Sequence, residues 1–176
     1  SAASDVYKRQ DTYLMDIKKL SRLLSQSPKG TYKGIVLVDF AGYPANLEAF
    51  RQLADEYGLW IIEDACHAPG GYFIDSKGEK QLCGNGNFAD ISVFSFHPVK
   101  HIATGEGGMA TTNSKKLYEK LCLYRTHGIT KDPALLCENH GGWYYEMQEL
   151  GYNYRITDFQ AALGISPVSY THLRAH

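Results

Sequence analysis

Two short apolar runs restrict the fold of this chain more than any other feature of its sequence. The runs, Ile35 to Phe40 and Leu59 to Ile62, lie on either side of a segment in which apolar residues recur at helical spacing. Asn46 can cap the start of that helix and Gly58 can end it. Because short, nearly continuous apolar runs are typical of parallel strands covered on both faces, this stretch predicts a right-handed βαβ unit.

The rest of the chain extends this unit into a larger α/β fold. The other predicted features are a helix from Tyr13 to Leu24, a third strand from Ile91 to Phe96, a brief run from Met109 to Thr112, a helix from about Ser114 to Tyr124, and a capping box from Thr157 to Gln160 that opens a last helix. Between the second and third strands the chain is Gly-rich and polar. Strands alternating with helices predict an α/β domain with a mostly parallel sheet flanked by helices.

Composition excludes several classes of function. The chain has 18 Lys and Arg against 19 Asp and Glu, so its net charge of −1 gives no electrostatic reason to bind nucleic acid or an anionic membrane. No apolar run is long enough to span a bilayer, and no signal peptide is evident at the N-terminus. The four cysteines, which lack a CxxC spacing, are interpreted as reduced thiols of a cytoplasmic protein.

The two ends of the chain differ from the sequence between them. Ser1–Gln10 (SAASDVYKRQ) and Pro167–His176 (PVSYTHLRAH) resemble translated sequencing adapters, because codons for SDVYKRQ read on the opposite strand in another frame can spell PVSYTHL. The alternative is a pair of natural tails. We therefore interpret residues 1–10 and 167–176 as non-native tails, and 11–166 as a natural segment truncated at both ends.

Truncation has a consequence for the predicted sheet. Strands that are apolar along their whole length need cover on both faces. We therefore expect Leu37, Ile61, Val93 and Phe94 to be left open to water, and the chain on its own to be aggregated or partly folded and inactive.

Chemically unusual residues follow two of the predicted strands. Asp64 and His67 come after the second strand, and Ser95, His97 and Lys100 lie at or just beyond the third. In open α/β sheets, ligands bind outside the carboxyl ends of the strands. A lysine at such an end, before a Gly-rich turn, suits a desolvated amine that could form a Schiff base. A single lysine on a loop is more often an ordinary surface residue, so the combination carries the prediction.

Other arrangements are weaker. Gly84–Ala89 matches a dinucleotide fingerprint by letter, but it precedes a strand instead of following one. His97 and His101, together with Cys66 and His67, could in principle bind zinc. Cys66 and His67 are poor partners as nucleophile and base, because adjacent side chains at a strand end tend to diverge.

Three stretches of the sequence resemble one known family. They are Ile61–Gly71 (IIEDACHAPGG), Phe94–Met109 (FSFHPVKHIATGEGGM) and Gly151–Gly164 (GYNYRITDFQAALG). In this order they are similar to signature stretches of the nucleotide-sugar aminotransferases that depend on pyridoxal 5'-phosphate (PLP), the DegT/StrS family of fold type I. The resemblance extends over essentially all of residues 11–166. It implies that this segment is part of the PLP-binding large domain.

The resemblance also implies a role for each of five residues. Lys100 would form the Schiff base with PLP and act as the catalytic residue. Asp64 would pair with the pyridinium nitrogen, and His67 would lie beside the ring and its hydroxyl. Ser95 would hold the cofactor phosphate. Asn153 would reach the phosphate of the neighbouring subunit in a homodimer. No metal is implied.

The reaction implied by the resemblance is a ping-pong transamination. Glutamate would donate the amino group, and a UDP-linked 4-keto-6-deoxy amino sugar would accept it. Amination of a UDP-4-keto-pentose is an alternative within the family. A regulatory protein that keeps the fold without catalysis is a non-enzymatic alternative. Sugar dehydration is disfavoured because relatives with that activity replace the lysine by histidine, whereas Lys100 is present.

Overall fold

The computed structural model describes residues 9 and 11–165. The helices are α1 (Ile17–Gln26), α2 (Leu47–Tyr57), α3 (Lys115–Arg125) and α4 (158–165), and one short 3₁₀ turn spans Phe40–Gly42. The strands are β1 (Gly34–Val38), β2 (Trp60–Asp64), β3 (Tyr72–Ile74), β4 (Lys80–Leu82), β5 (Ile91–Ser95), β6 (Gly108–Thr111), β7 (Ile129–Thr130) and β8 (Glu146–Met147). Of the two segments interpreted as non-native tails, all but Arg9 lies outside the described residues.

A four-stranded sheet in the order β1-β2-β5-β6 forms the centre of the fold. β1 and β2 are parallel, as are β2 and β5, whereas β6 is antiparallel to β5. The predicted βαβ unit and mostly parallel sheet are therefore confirmed. In the parallel register Asp64 lies beside Val38 on one side and Val93 on the other. The carboxyl ends of three strands consequently meet at one edge of the sheet.

Helix α2 begins and ends where its sequence predicts. The Asn46 side chain accepts a hydrogen bond from the Ala49 amide at 3.1 Å, and Gly58 ends the helix in the left-handed conformation with φ of 67°. Phe50 and Ala54 on its apolar face are buried. Each of these features depends on residues close in sequence, which is why the prediction succeeds.

The first helix begins later than predicted. Tyr13 has a φ of 57°, which is outside the helical region, and the helix begins at Ile17. The Asp16 carboxylate accepts hydrogen bonds from the Lys18 and Lys19 amides and caps that start. The Gly-rich and polar stretch after β2 also contains an antiparallel hairpin, β3–β4, whose turn is closed by bonds from the Lys77 and Glu79 amides to Asp75.

The sheet is covered on one face and open on the other. Leu37 and Ile61 are 1% and 0% exposed because α1 and α2 pack against their side of the sheet. The expectation that these two residues face water is wrong. Val93 and Phe94 are half-buried, and Phe94 packs against a small second cluster. The open positions are the alternate ones, since Val36 is 48% exposed and Val38 is 43% exposed. Within the described residues, no helix is both long and apolar enough to cross a lipid bilayer.

Candidate active site

Asp64 is the last residue of β2 and lies where the strand ends meet. One carboxylate oxygen accepts a hydrogen bond from the Cys66 amide at 3.1 Å. Its carbonyl accepts another from the Asp39 amide at 3.0 Å, which ties the segment after β1 to the end of β2. The Asp64 side chain is half-buried. The carboxylate is therefore fixed by its surroundings while part of it still faces outward.

Lys100 lies in the loop that joins β5 to β6. Three backbone bonds shape this loop: Lys100 N to His97 O at 2.9 Å, Thr104 N to Phe96 O at 2.9 Å and Phe96 N to Gly107 O at 2.8 Å. The lysine is half-buried. Its amine forms no hydrogen bond or ion pair with the other described side chains, so the amine is available to a ligand.

The Cys66 thiol lies within electrostatic reach of both Asp64 and Lys100. Burial raises the pKa of this thiol to about 11, and the hydrogen bond and charge of Asp64 add to that effect. The Lys100 charge acts on the same thiol in the opposite direction. The thiol hydrogen points to the Val93 carbonyl at 3.8 Å. Cys66 is therefore a neutral thiol at physiological pH, which argues against a nucleophile–base pair with His67.

His67 is held by the segment that follows β1. Its Nδ1 accepts a hydrogen bond from the Ala41 amide at 3.3 Å, which leaves Nε2 as the ring N–H. The Phe40 ring lies 6.2 Å away between centroids. Ala41 has a φ of 55°, an uncommon conformation for a residue other than glycine. Sequence alone does not point to Ala41, because only its backbone takes part.

Ser95 ends β5 beside the same edge. It lies opposite Gly108 of β6, and its hydroxyl oxygen accepts a hydrogen bond from the His97 amide at 3.3 Å. A Cβ on Gly108 would lie 2.8 Å from the Phe94 carbonyl, so only glycine allows this close strand pairing. The Ser95 hydroxyl donates to no acceptor among the described residues, so its hydrogen can be donated to a ligand.

Asn153 is anchored elsewhere and is exposed. It forms an isolated bridge with Thr126, just after α3, and the flanking Tyr152 and Tyr154 amides donate to the carbonyls of Tyr124 and Arg125 at 2.7 and 2.9 Å. The structure thus brings Asp64, His67, Ser95 and Lys100 to one sheet edge and does not bring Asn153 to them through any described contact.

The last helix is tied to the lysine loop. The predicted capping box is confirmed: Thr157 N donates to Gln160 at 2.9 Å, and Gln160 N donates to the Thr157 hydroxyl at 3.3 Å. The Gln160 amide nitrogen also donates to the Glu106 carbonyl at 2.9 Å. The loop that carries Lys100 is therefore supported from a distant part of the sequence.

The geometry agrees with the comparison against protein families. Residues 5–172 match the model of the DegT/DnrJ/EryC1/StrS aminotransferase family. The chain belongs to this family. The matched range runs into both segments interpreted above as non-native tails, and that interpretation stays a prediction.

Individual DegT/DnrJ/EryC1/StrS relatives agree with this assignment. Over 153 residues the chain is 42% identical to UDP-4-amino-4,6-dideoxy-N-acetyl-beta-L-altrosamine transaminase from Campylobacter jejuni, which covers 86% of this chain and 36% of that protein. PseC from Helicobacter pylori, an aminotransferase involved in the biosynthesis of pseudoaminic acid, has a TM-score of 0.72 and 31% identity, with 94% of this chain and 40% of that one covered. Spr1654 from Streptococcus pneumoniae in its PLP form has a TM-score of 0.68 and 26% identity, with 92% and 41% covered. The chain spans less than half the length of each.

The fold is that of the fold type I aminotransferases, and PLP is the cofactor that the DegT/DnrJ/EryC1/StrS family implies. The residues present fit it. A half-buried carboxylate and a serine hydroxyl lie at neighbouring strand ends, and in the loop that follows lies an amine without a partner among the described side chains. The alternative zinc set does not assemble within the described part of the chain, where the one group of three close ligand types is Asp39, Glu63 and Cys83.

Proposed function

We propose that this chain is the cofactor-binding part of a PLP-dependent nucleotide-sugar aminotransferase in which Lys100 binds the cofactor covalently. The observation that carries the proposal is the placement of Asp64 and Lys100: Asp64 ends β2, Lys100 lies in the loop after the neighbouring parallel strand β5, and both charges act on the same Cys66 thiol. PLP, when bound, supplies an electron sink for breaking bonds at the amino-bearing carbon. The chain corresponds to part of the large domain, with 11–166 as its natural segment.

Each residue of the site has a role that its surroundings support. The Lys100 amine, which has no partner among the described side chains, would move a proton between the amino-bearing carbon of the bound substrate and the cofactor carbon in each half of the reaction. The Asp64 carboxylate keeps a proton on the cofactor ring nitrogen. The Ser95 hydroxyl donates to the cofactor phosphate, and His67, with its Nδ1 occupied by Ala41, presents Nε2–H to the ring side of the site.

The substrate class follows from the relatives. The 42% identity to the Campylobacter transaminase supports a UDP-linked 4-keto-6-deoxy amino sugar as acceptor. Glutamate as donor, a place in pseudaminic acid biosynthesis and a cytoplasmic location complete the proposal. The likeness to PseC supports the same substrate class. These properties belong to the whole protein, of which this chain is a part.

The first test is a cofactor-trapping experiment on the protein that contains this chain. We expect a visible absorbance band with PLP, loss of that band with borohydride, and a peptide map that places the reduced adduct on Lys100. The same protein is then given glutamate with either a UDP-4-keto-6-deoxy amino sugar or a UDP-4-keto-pentose. Preferential amination of the pentose would contradict the substrate class, and an adduct at another lysine would contradict the site.

Assembly gives a second prediction. We propose that Asn153 completes the phosphate site of a neighbouring subunit, because its side chain is exposed and makes no described contact with its own site. Large exposed aromatic side chains in the same region, namely Trp143, Tyr152, Tyr154 and Phe159, support a buried partner surface. A homodimer with shared sites is the expected assembly.

A mixing experiment checks this arrangement. Lys100→Ala and Asn153→Ala subunits, each impaired alone, are expected to recover activity when mixed, because each heterodimer contains one intact site. Equal mixing with free exchange makes about half of the dimers heterodimers, so recovery should approach about a quarter of the wild-type rate per subunit. If exchange is demonstrated by mass and no activity returns, each site is complete within one chain.

A further inference from the structure

A second group of reactive side chains lies buried behind the candidate site. Asp39, just after β1, and Glu63 of β2 are 0% and 1% exposed, and Cys83, just after β4, is 8% exposed. One ligand-type atom from each lies within 4.8 Å of the others. Because side chains alternate along a strand, Glu63 points to the opposite face of the sheet from Asp64. None of the roles assigned above uses this group.

The hydrogen bonds of the two carboxylates leave one oxygen free on each. Asp39 Oδ1 accepts from the Ala45 amide at 2.8 Å. Glu63 Oε2 accepts from the Gly84 amide at 2.9 Å and from the Ser92 hydroxyl. Asp39 Oδ2 and Glu63 Oε1 are buried without a partner among the described residues. Two adjacent buried carboxylates that are both ionised repel each other, whereas one added proton supplies the donor that both free oxygens lack.

We propose that Asp39 and Glu63 share one proton and that this proton holds the 39–45 loop in the position from which it orients His67. The loop is attached at three points: the Asp39 amide donates to the Asp64 carbonyl, the Asp39 carboxylate accepts from Ala45, and the Ala41 amide donates to His67. Asp39 and Glu63 are thus positioning residues. Only the role toward His67 rests on the proposed function.

The electrostatic surroundings favour this protonation. Burial raises the pKa of Asp39 to about 7, against the lowering effect of the Ala45 amide, and the Glu63 charge adds to the rise. Within the described residues, the other titratable group that faces the pair is the Cys83 thiol, whose hydrogen bond to Asp39 opposes the rise in the Asp39 pKa. The pKa of the thiol itself is raised by burial and then by the two carboxylates, so it stays neutral. β5 contributes the uncharged Ser92, and the ion pairs formed within the described residues include neither carboxylate.

The sign of the pH dependence follows from this shift. In the folded protein Asp39 keeps a proton up to about pH 7, whereas in the unfolded chain it loses that proton near its ordinary pKa of 3.8. The folded state binds more protons between these values, so the pair makes stability fall as pH rises from about 4 to about 7 and adds no further change above that. One such proton changes the folding equilibrium constant by up to about tenfold per pH unit.

The test compares the wild-type protein with Glu63→Gln, in which the new amide supplies an N–H in place of the shared proton. We expect the infrared carbonyl band of a protonated carboxylic acid in the wild type, lost with a midpoint near pH 7, and no such band in Glu63→Gln. In the wild type, the folding equilibrium constant measured with denaturant should fall by up to about tenfold per pH unit between about pH 4 and 7. In Glu63→Gln this dependence on pH should flatten. Glu56→Gln, an exposed carboxylate of α2, is the matched control and should leave both measurements unchanged.

Kinetic measurements on Glu63 variants distinguish a positioning role from simple packing. The kcat profile of Glu63→Gln should keep its height and lose one titration near pH 7, whereas Glu63→Ala should lower kcat roughly tenfold or more through misplacement of the site. The shared proton would be overturned if the wild type lacked the infrared band. It would also be overturned if one Zn²⁺ ion bound per wild-type chain and none bound to Cys83→Ser. An unchanged pH profile with the band present would overturn the role toward His67. None of these results depends on the borohydride test of Lys100.

Discussion

Replacing Lys100 by alanine is expected to reduce transamination by the protein that contains this chain to the background rate. Alanine can neither link to the cofactor nor move a proton, and proton transfer by a positioned side chain alone contributes about 10²–10⁴-fold. We therefore expect a loss of at least about 10⁴-fold in kcat/KM with glutamate when the two functions are lost together. The measurement is single-turnover and steady-state kinetics, with PLP binding followed separately by absorbance.

Two further variants make this result specific. Lys100→Arg retains a positive charge, but a guanidinium stays protonated and cannot act as a base, so it should fail as well. Lys116→Ala, in an exposed position of α3, is the matched control and should retain full activity. Near-normal turnover in Lys100→Ala or Lys100→Arg would show that another group carries the chemistry.

Asp64→Asn is expected to give the second-largest loss, with the fold preserved. The asparagine oxygen can still accept the hydrogen bond that Asp64 receives from the Cys66 amide, so the end of β2 should keep its shape. A neutral amide cannot stabilise a proton on the cofactor ring nitrogen. Removing a fixed charge or donor from a developing charge costs on the order of 10²–10³-fold in kcat, and we expect a loss of that size.

The kinetic pattern distinguishes this role from binding. An interaction needed mainly in the transition state lowers kcat and kcat/KM together, so KM and cofactor affinity should change little in Asp64→Asn. Asp55→Asn, which alters an exposed carboxylate of α2 in an ion pair with Arg51, is the control for loss of a negative charge. A folded Asp64→Asn protein with normal kcat would contradict the assignment.

The features predicted correctly from sequence have local causes. Asn46 caps α2 and Gly58 ends it through bonds to residues within four positions, and the Thr157–Gln160 capping box is closed within one turn. The parallel pairing of β1 and β2 follows from a crossover helix between two apolar runs. The positions of Asp64 and Ser95 at one sheet edge follow in turn, because each residue ends a strand, and Lys100 lies in the loop that continues from β5.

Tertiary structure alone decided which face of the sheet is covered and what lies inside it. Leu37 and Val36 are adjacent, similar in chemistry and opposite in exposure, since α1 and α2 pack on one face of β1. Asp39 and Glu63 are ordinary polar residues in the sequence, separated by 24 positions, and become a buried pair only when β1 and β2 align. Capping and turn formation depend on neighbours along the chain and can be inferred from them. Burial depends on which distant elements pack together. The free energy of charging a side chain depends on burial, so it too is decided by the tertiary structure.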